Sequence, residues 1–281
     1  MRLGYNTNGF PHHDLRDCLA ILSEIGYASV ALTLDHHALN PFDADIAFQV
    51  ADVRRRLREY GMASFVETGA RYLLDPRRKH QPTLLSARSE DRSRRVDFLR
   101  RAIDIAADLE SGGVSLWSGA ADDDATGPRA LDRLCGTLEP VLEHAERRGV
   151  VLGFEPEPGM VIATLADFEK LLGRLDSPRL QLTMDVGHLH CQEEEPIPDR
   201  IEAWRDRIVN IHVEDMRRGT HEHLMFGEGD MEFGPILAAL RRIDYQGGMH
   251  VELSRHGHAA PDAARRAYAF LQPLVAIEDR A

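Results

Sequence analysis

Lysine is almost missing from this chain: of its 34 basic residues only Lys79 and Lys170 are lysines. Against 46 acidic residues this leaves a net charge of −12 and a pI near 5.6. Such a surface has no general electrostatic grip on nucleic acid or anionic lipid, so neither is expected as a partner. The arginine bias reads as genomic base composition. Cysteine is scarce as well. Cys18, Cys135 and Cys191 are odd in number and widely spaced, which excludes a paired framework and fits a reducing compartment. No apolar run approaches the roughly 20 residues of a membrane helix. The opening stretch MRLGYNTNGF lacks the apolar centre of a secretion signal. These absences predict a soluble, cytoplasmic protein. No break rich in glycine, serine and proline marks a linker, so one domain over 1–281 is expected; the oligomeric state is left open, a homo-oligomer included.

What is present is an α/β alternation. With 43% hydrophobic residues in 281, the chain can bury a large core. Short apolar runs at 2–6, 29–33, 62–67, 113–117, 150–155, 180–185, 208–213 and 249–253 read as strands. Between and after them, apolar residues recur three or four apart, as in Leu15, Leu19, Leu22, Ile25 and in Leu131, Leu134, Leu138, Val141. Asp14 and Thr164 stand where N-caps belong, and Gly26, Gly61 and Gly149 where C-caps belong. The sixth helix, near 199–206, carries the faintest pattern. Eight strand–helix units predict a closed (β/α)8 TIM barrel. A doubly wound open sheet is the competing arrangement, but GYNTNGF after the first strand is not its glycine-rich phosphate loop. The acidic stretches at 122–124 and 193–195 read as solvated loops.

In such a barrel the chemistry sits where strands end. The fifth strand closes on Glu155 and the sixth on Asp185, with His188 three residues on. The seventh carries His212 near its end, and the eighth Glu252. Three carboxylates and an imidazole converging on one rim would repel one another, and a divalent cation resolves the repulsion. Oxygen-dominated ligation favours Mn²⁺, Mg²⁺ or Co²⁺, with Zn²⁺ compatible.

The series Glu155, Asp185, His212, Glu252, at spacings of 30, 27 and 40, resembles the sugar isomerase/epimerase superfamily of xylose-isomerase-like barrels. That superfamily includes ketose 3-epimerases, hydroxypyruvate isomerases and endonuclease IV. The resemblance implies that these four residues bind one divalent metal and that Glu155 and Glu252 also move protons. It further implies that His188, in D-x-x-H, and Arg218, six residues after His212, contact substrate oxygens. HLMFGEGDMEF looks like the H-x-x-x-G-x-G-[DN] segment that leads into the seventh helix.

The physical case for proton transfer is separate. Hydrogen on a carbon next to a carbonyl is very weakly acidic, and a metal on the carbonyl and adjacent hydroxyl oxygens stabilises the enediolate. A carboxylate within about 3 Å of that hydrogen then serves as general base. Return of the proton to the opposite face epimerises a small sugar, sugar acid or sugar phosphate; return to the neighbouring carbon isomerises it. Glu67 and Trp117, ending the third and fourth strands, are further substrate-contact candidates, and the basic loop 71–80 is a candidate anion contact or a solvated loop. Three alternatives stay open. One is a dehydratase or lyase acting on a polyol or cyclic keto-acid. Another is an endonuclease-IV-like phosphodiesterase, for which His221 and His223 stand near that family's Asp-x-His metal pair and offer a possible second metal position. A third is a barrel that binds a metabolite without turning it over.

Overall fold

The computed structural model describes residues 1–192, 194 and 196–276. The chain opens with β1 (Arg2–Asn6), α1 (Leu15–Ile25), β2 (Ser29–Thr33), α2 (Ile46–Tyr60), β3 (Ala63–Glu67) and α3 (Ser89–Leu109). It continues through β4 (Val114–Leu116), α4 (Gly127–Arg148), β5 (Leu152–Phe154), α5 (Leu165–Leu172), β6 (Leu180–Asp185), α6 (Val186–Cys191), α7 (Ile197–Ala203) and β7 (Ile208–Val213). After a hairpin of β8 (Asp215–Arg217) and β9 (Thr220–Leu224) come α8 (Phe233–Arg242), β10 (Gly248–Val251) and α9 (Ala260–Val275). Eight strands close a parallel barrel in the order β1-β10-β7-β6-β5-β4-β3-β2. The expected (β/α)8 TIM barrel is the observed fold.

Strands covered on both faces are mostly apolar and buried throughout: every residue of β2, β4 and β5 is buried, Ser29, Thr33 and Ser115 included. Asp14 and Thr164 cap α1 and α5 by accepting from Arg16 N and Asp167 N. Gly26 and Gly149 end α1 and α4 in the left-handed region at φ 113° and 70°. Two compact units make up the chain. One comprises Met1–Leu32, Arg56–Ser64 and the residues from Met184 on, with β1, β7 and β10. The other comprises Thr33–Arg55 and Phe65–Thr183, with β4 and β5.

Three local features depart from the sequence reading. The strands expected at 113–117 and 150–155 are shorter, so Trp117 and Glu155 lie one residue past them. Glu155 N still donates to Leu116 O at 2.8 Å, so the ladder holds its backbone. The faint sixth helix is α7, and α6 forms before it. The third feature is the β8–β9 hairpin, which no apolar periodicity announced. Its anchor is Asp215, whose carboxylate accepts from Gly227 N at 2.8 Å, Gly229 N at 2.9 Å and Met231 N at 3.3 Å. A Cβ at Gly229 would run into Asp215 Oδ1 and Met216 O, so the second glycine of GEGD serves close packing. Of the two acidic loops, 122–124 is exposed as expected, while Glu193 and Glu195 lie outside the described residues. Among the described residues no helix is long and apolar enough to cross a membrane.

Candidate metal centre

Asp185 is the last residue of β6 and the N-cap of α6. Its Oδ1 accepts from His188 N at 2.9 Å, so D-x-x-H is first a local cap. Its Oδ2 is buried, lies 3.4 Å from His188 Nε2, and has no hydrogen-bond partner among the described residues. On β7, His212 turns Nδ1 to within 3.1 Å of Glu252 Oε2. Glu252, one residue past β10, accepts on Oε1 from Asn8 Nδ2 at 2.7 Å. One ligand atom from each of Glu155, Asp185, His212 and Glu252 lies within 4.8 Å of the others. The four expected ligands therefore come together, although 97 residues separate the first from the last.

Burial alone would raise the pKa of Asp185, but His188, His212 and His223 outweigh it and hold the carboxyl below its usual range. Burial likewise opposes ionisation of Glu252, and adjacent His212 overcomes it, keeping the group well below the ordinary value. Both carboxylates are thus anionic at neutral pH. A divalent ion fits this donor set: oxygen-rich, with one imidazole and a buried oxygen lacking any donor.

The outer nitrogen of His212 is also engaged. Its Nε2 is 3.2 Å from Asn210 Nδ2; Asn210 Oδ1 is 2.8 Å from His250 Nδ1, and His250 Nε2 is 2.8 Å from Ser29 Oγ. Asn210, His250 and Ser29 are all buried, and burial pushes His250 down to about 3, so its imidazole is neutral. An amide turned over has the same shape with donor and acceptor exchanged. In that orientation Asn210 accepts from His212 Nε2–H, leaving the Nδ1 lone pair for a metal. Partners of this kind behind a ligating histidine are worth about 10- to 100-fold in metal affinity. Asn210→Ala is expected to lose affinity by that factor in chelator competition on the folded protein; unchanged affinity would remove the relay from the account.

The other expected residues are distributed as follows. His188 is buried, and its ring centroid lies 4.8 Å from that of His221 and 6.1 Å from that of His223. These three histidines form a second potential ligand group. Burial pushes His188 down to about 4 and lowers His221. Burial also acts to lower His223, but Glu214 lifts it to about 10. Arg218 is exposed in the β8–β9 turn and belongs to neither ligand group. Glu67 is buried at the end of β3. Trp117 is 8% exposed and packs under the wholly buried Arg95, whose guanidinium carbon is 4.8 Å from the ring centroid. In the basic loop, Arg71 pairs with Asp35 at 3.6 Å and Arg78 with Asp75 at 2.8 Å. The exposed run 76–79 fits the solvated-loop reading, while Arg71 is half-buried against Asp35. Sequence reasoning missed Asn8 and Glu214. Asn8 carries no motif; Glu214, in the strand-end run IHVED, could have been found by counting every carboxylate there.

Comparison with known proteins supports the fold. L-ribulose-5-phosphate 3-epimerase UlaE of Salmonella heidelberg (strain SL476) is 24% identical over 84% of this chain and 80% of its own length. Inosose dehydratase of Lacticaseibacillus casei is 28% identical over 43% of this chain, and the match spans 46% of the relative. A protein of Methanocaldococcus jannaschii matches at 28% identity over 56% of each chain, so the chain spans about half the length of these last two relatives. Among solved structures, a D-tagatose 3-epimerase-like protein superposes with a TM-score of 0.75 over 98% of this chain and all of that one, at 21% identity. At that identity the likeness speaks for the fold alone. Residues 19–274 match the family model for the xylose isomerase-like TIM barrel, and this chain belongs to that family.

Proposed function

We propose that the protein is a divalent-metal-dependent isomerase or epimerase of a small sugar, sugar acid or sugar phosphate. The observation that carries this reading is the convergence of ligand atoms from Glu155, Asp185, His212 and Glu252 within 4.8 Å. Those residues would hold one ion, with Mn²⁺, Mg²⁺ or Co²⁺ favoured by the oxygen-rich set and Zn²⁺ compatible. A bound ion supplies Lewis-acid polarisation of a substrate carbonyl and its neighbouring hydroxyl, which acidifies the adjacent C–H. Glu155 and Glu252 are the two groups able to take and return that proton. Asn8, donating to Glu252 Oε1 at 2.7 Å, helps to fix this carboxylate, whose Oε2 lies 3.1 Å from His212 Nδ1. His188 is read as a hydrogen-bonding contact for substrate oxygens. Glu67, Trp117 and Arg218 are assigned to the periphery of the substrate. The buried cysteines, unpaired among the described residues, support a reducing, cytoplasmic setting.

A related relative favours a second reading. Inosose dehydratase matches part of this chain, and the same C–H activation expels a β-hydroxyl when the leaving group is aligned. Incubation of the metal-loaded protein with ketoses, sugar phosphates and inososes in deuterated water separates the two. Deuterium uptake at carbon without loss of water supports the isomerase or epimerase; water loss supports the dehydratase. Absence of both across the panel, in metal-loaded folded protein, overturns catalysis at this centre.

A further inference from the structure

We infer that Arg95 is a positioning residue for substrate recognition: it holds Trp117 so that the indole N–H, instead of the ring face, is offered to a substrate oxygen. All the groups involved belong to one compact unit, Thr33–Arg55 with Phe65–Thr183.

Arg95, in α3, is wholly buried. Its Nη2 donates to Thr68 O at 2.7 Å, one residue past the end of β3. Nε and Nη1 have no hydrogen-bond partner among the described residues. Burial alone shifts the group, down to about 9, so it stays a cation at neutral pH with no carboxylate beside it among the described residues. Its guanidinium carbon lies instead 4.8 Å from the ring centroid of Trp117 and 5.2 Å from that of Phe98. A buried charge rarely adds more to stability than a well-packed apolar side chain of its size. Packing therefore does not account for a guanidinium here. What the guanidinium does is tie the end of β3 to Trp117, the residue that follows β4.

A second observation concerns Trp117 itself. It is 8% exposed, and His80 stands perpendicular to its ring with centroids 5.6 Å apart. With a cation on one face and so little surface open, no ring face is free to stack on a sugar. The cation also draws on the electron density of the ring, which weakens such stacking and makes the N–H a better donor. A buried indole N–H usually has an acceptor. The polar contacts of Trp117 among the described residues are those with Arg95 and His80, so no acceptor meets its Nε1–H. His80 is pinned in turn: its Nδ1–H donates to Gly69 O at 2.5 Å and its backbone N–H to Arg71 O at 2.6 Å. Ala70, Arg71 and His80 all occupy the left-handed region, at φ 59°, 33° and 64°. Strain of that kind persists where the surroundings over-determine it, and it gathers at ligand clamps.

The substrate contact rests on the isomerase or epimerase reading; the hold of Arg95 on Trp117 does not, and the test has one arm for each. The chain has two tryptophans, so in a Trp204→Phe background Trp117 fluoresces alone. Acrylamide quenching should be weak in that background and rise severalfold on Arg95→Ala, with Arg95→Met as the second variant if the first does not fold. Unchanged quenching in the folded variants overturns the positioning role, whatever the protein catalyses. The kinetic arm uses the compound that exchanges deuterium in the panel above. Trp117→Phe keeps a ring and loses the N–H. It and Arg95→Met should each raise KM by about tenfold, the scale of one lost hydrogen bond, with kcat within about twofold. The double variant should be no worse than Trp117→Phe alone, because Arg95 acts through that ring. Lost stability would do the reverse, lowering kcat through the active fraction at constant KM. That pattern, or additive increases in KM, overturns the inference. Absence of exchange with every compound overturns the isomerase reading and the substrate contact with it, while quenching still decides whether Arg95 holds Trp117.

Discussion

Glu252→Gln and Glu155→Gln are each expected to cut turnover by about 10² or more, the usual loss when a general acid or base is removed. Glutamine preserves the shape and still presents an oxygen to Asn8, whose Nδ2 lies 2.7 Å from Glu252 Oε1. It cannot accept a proton from carbon. The two variants should also differ from each other. In an epimerisation each stereoisomer presents its hydrogen to one glutamate. One variant should therefore lose deuterium exchange from one epimer and the other variant from its partner, while both lose net conversion. A single-base isomerisation predicts one silent variant and one dead one. Full turnover by both, in folded metal-loaded protein, would falsify proton transfer by these residues while leaving the fold untouched.

The second large effect concerns the ion. Asp185 Oδ2 is buried without a hydrogen-bond donor among the described residues, close to two further carboxylates. An ion that binds the folded state alone stabilises it by about 2.7 kcal/mol at a hundredfold excess over its Kd. For a domain of this size that is a rise in Tm of roughly 5 °C. Mn²⁺, Co²⁺, Mg²⁺ and Zn²⁺ should therefore raise the melting temperature, and chelation should reverse the rise together with activity. Asp185→Asn keeps a hydrogen-bonding oxygen for the α6 cap but removes the charge. It should lose most of the metal-induced shift. A melting temperature indifferent to all four ions would end the metal-centred account.

Much of this was legible before any coordinates. The strand positions were readable because a parallel barrel buries both faces of each strand, as in SVALT at 29–33, so the strands appear as short apolar runs between helical periodicities. The strand-end residues Glu155, Asp185, His212 and Glu252 were readable because each interrupts such a run with charge or imidazole. What local patterning missed shares one property. The contact of Asn8 with Glu252 crosses 244 residues, and that of Ser29 with His250 crosses 221. Both rest on β10 closing against β1 and β7, and neither Asn8 nor Ser29 carries a signal of its own. Trp117 needed both. Its place at the end of a strand makes it a substrate-contact candidate, and only the fold shows that Arg95, from α3, packs over its ring at 4.8 Å.

The sequence by itself determined the barrel and the identity of its four candidate ligands, because hydrophobic periodicity and the charge of a residue at a strand's end are local properties. Tertiary structure alone decided which donors back those ligands, that Glu214 is buried beside His223, and that three histidines gather beside Asp185. Those outcomes follow from chain closure and from the electrostatics of burial, which act between residues far apart in the chain and leave no mark on their neighbours.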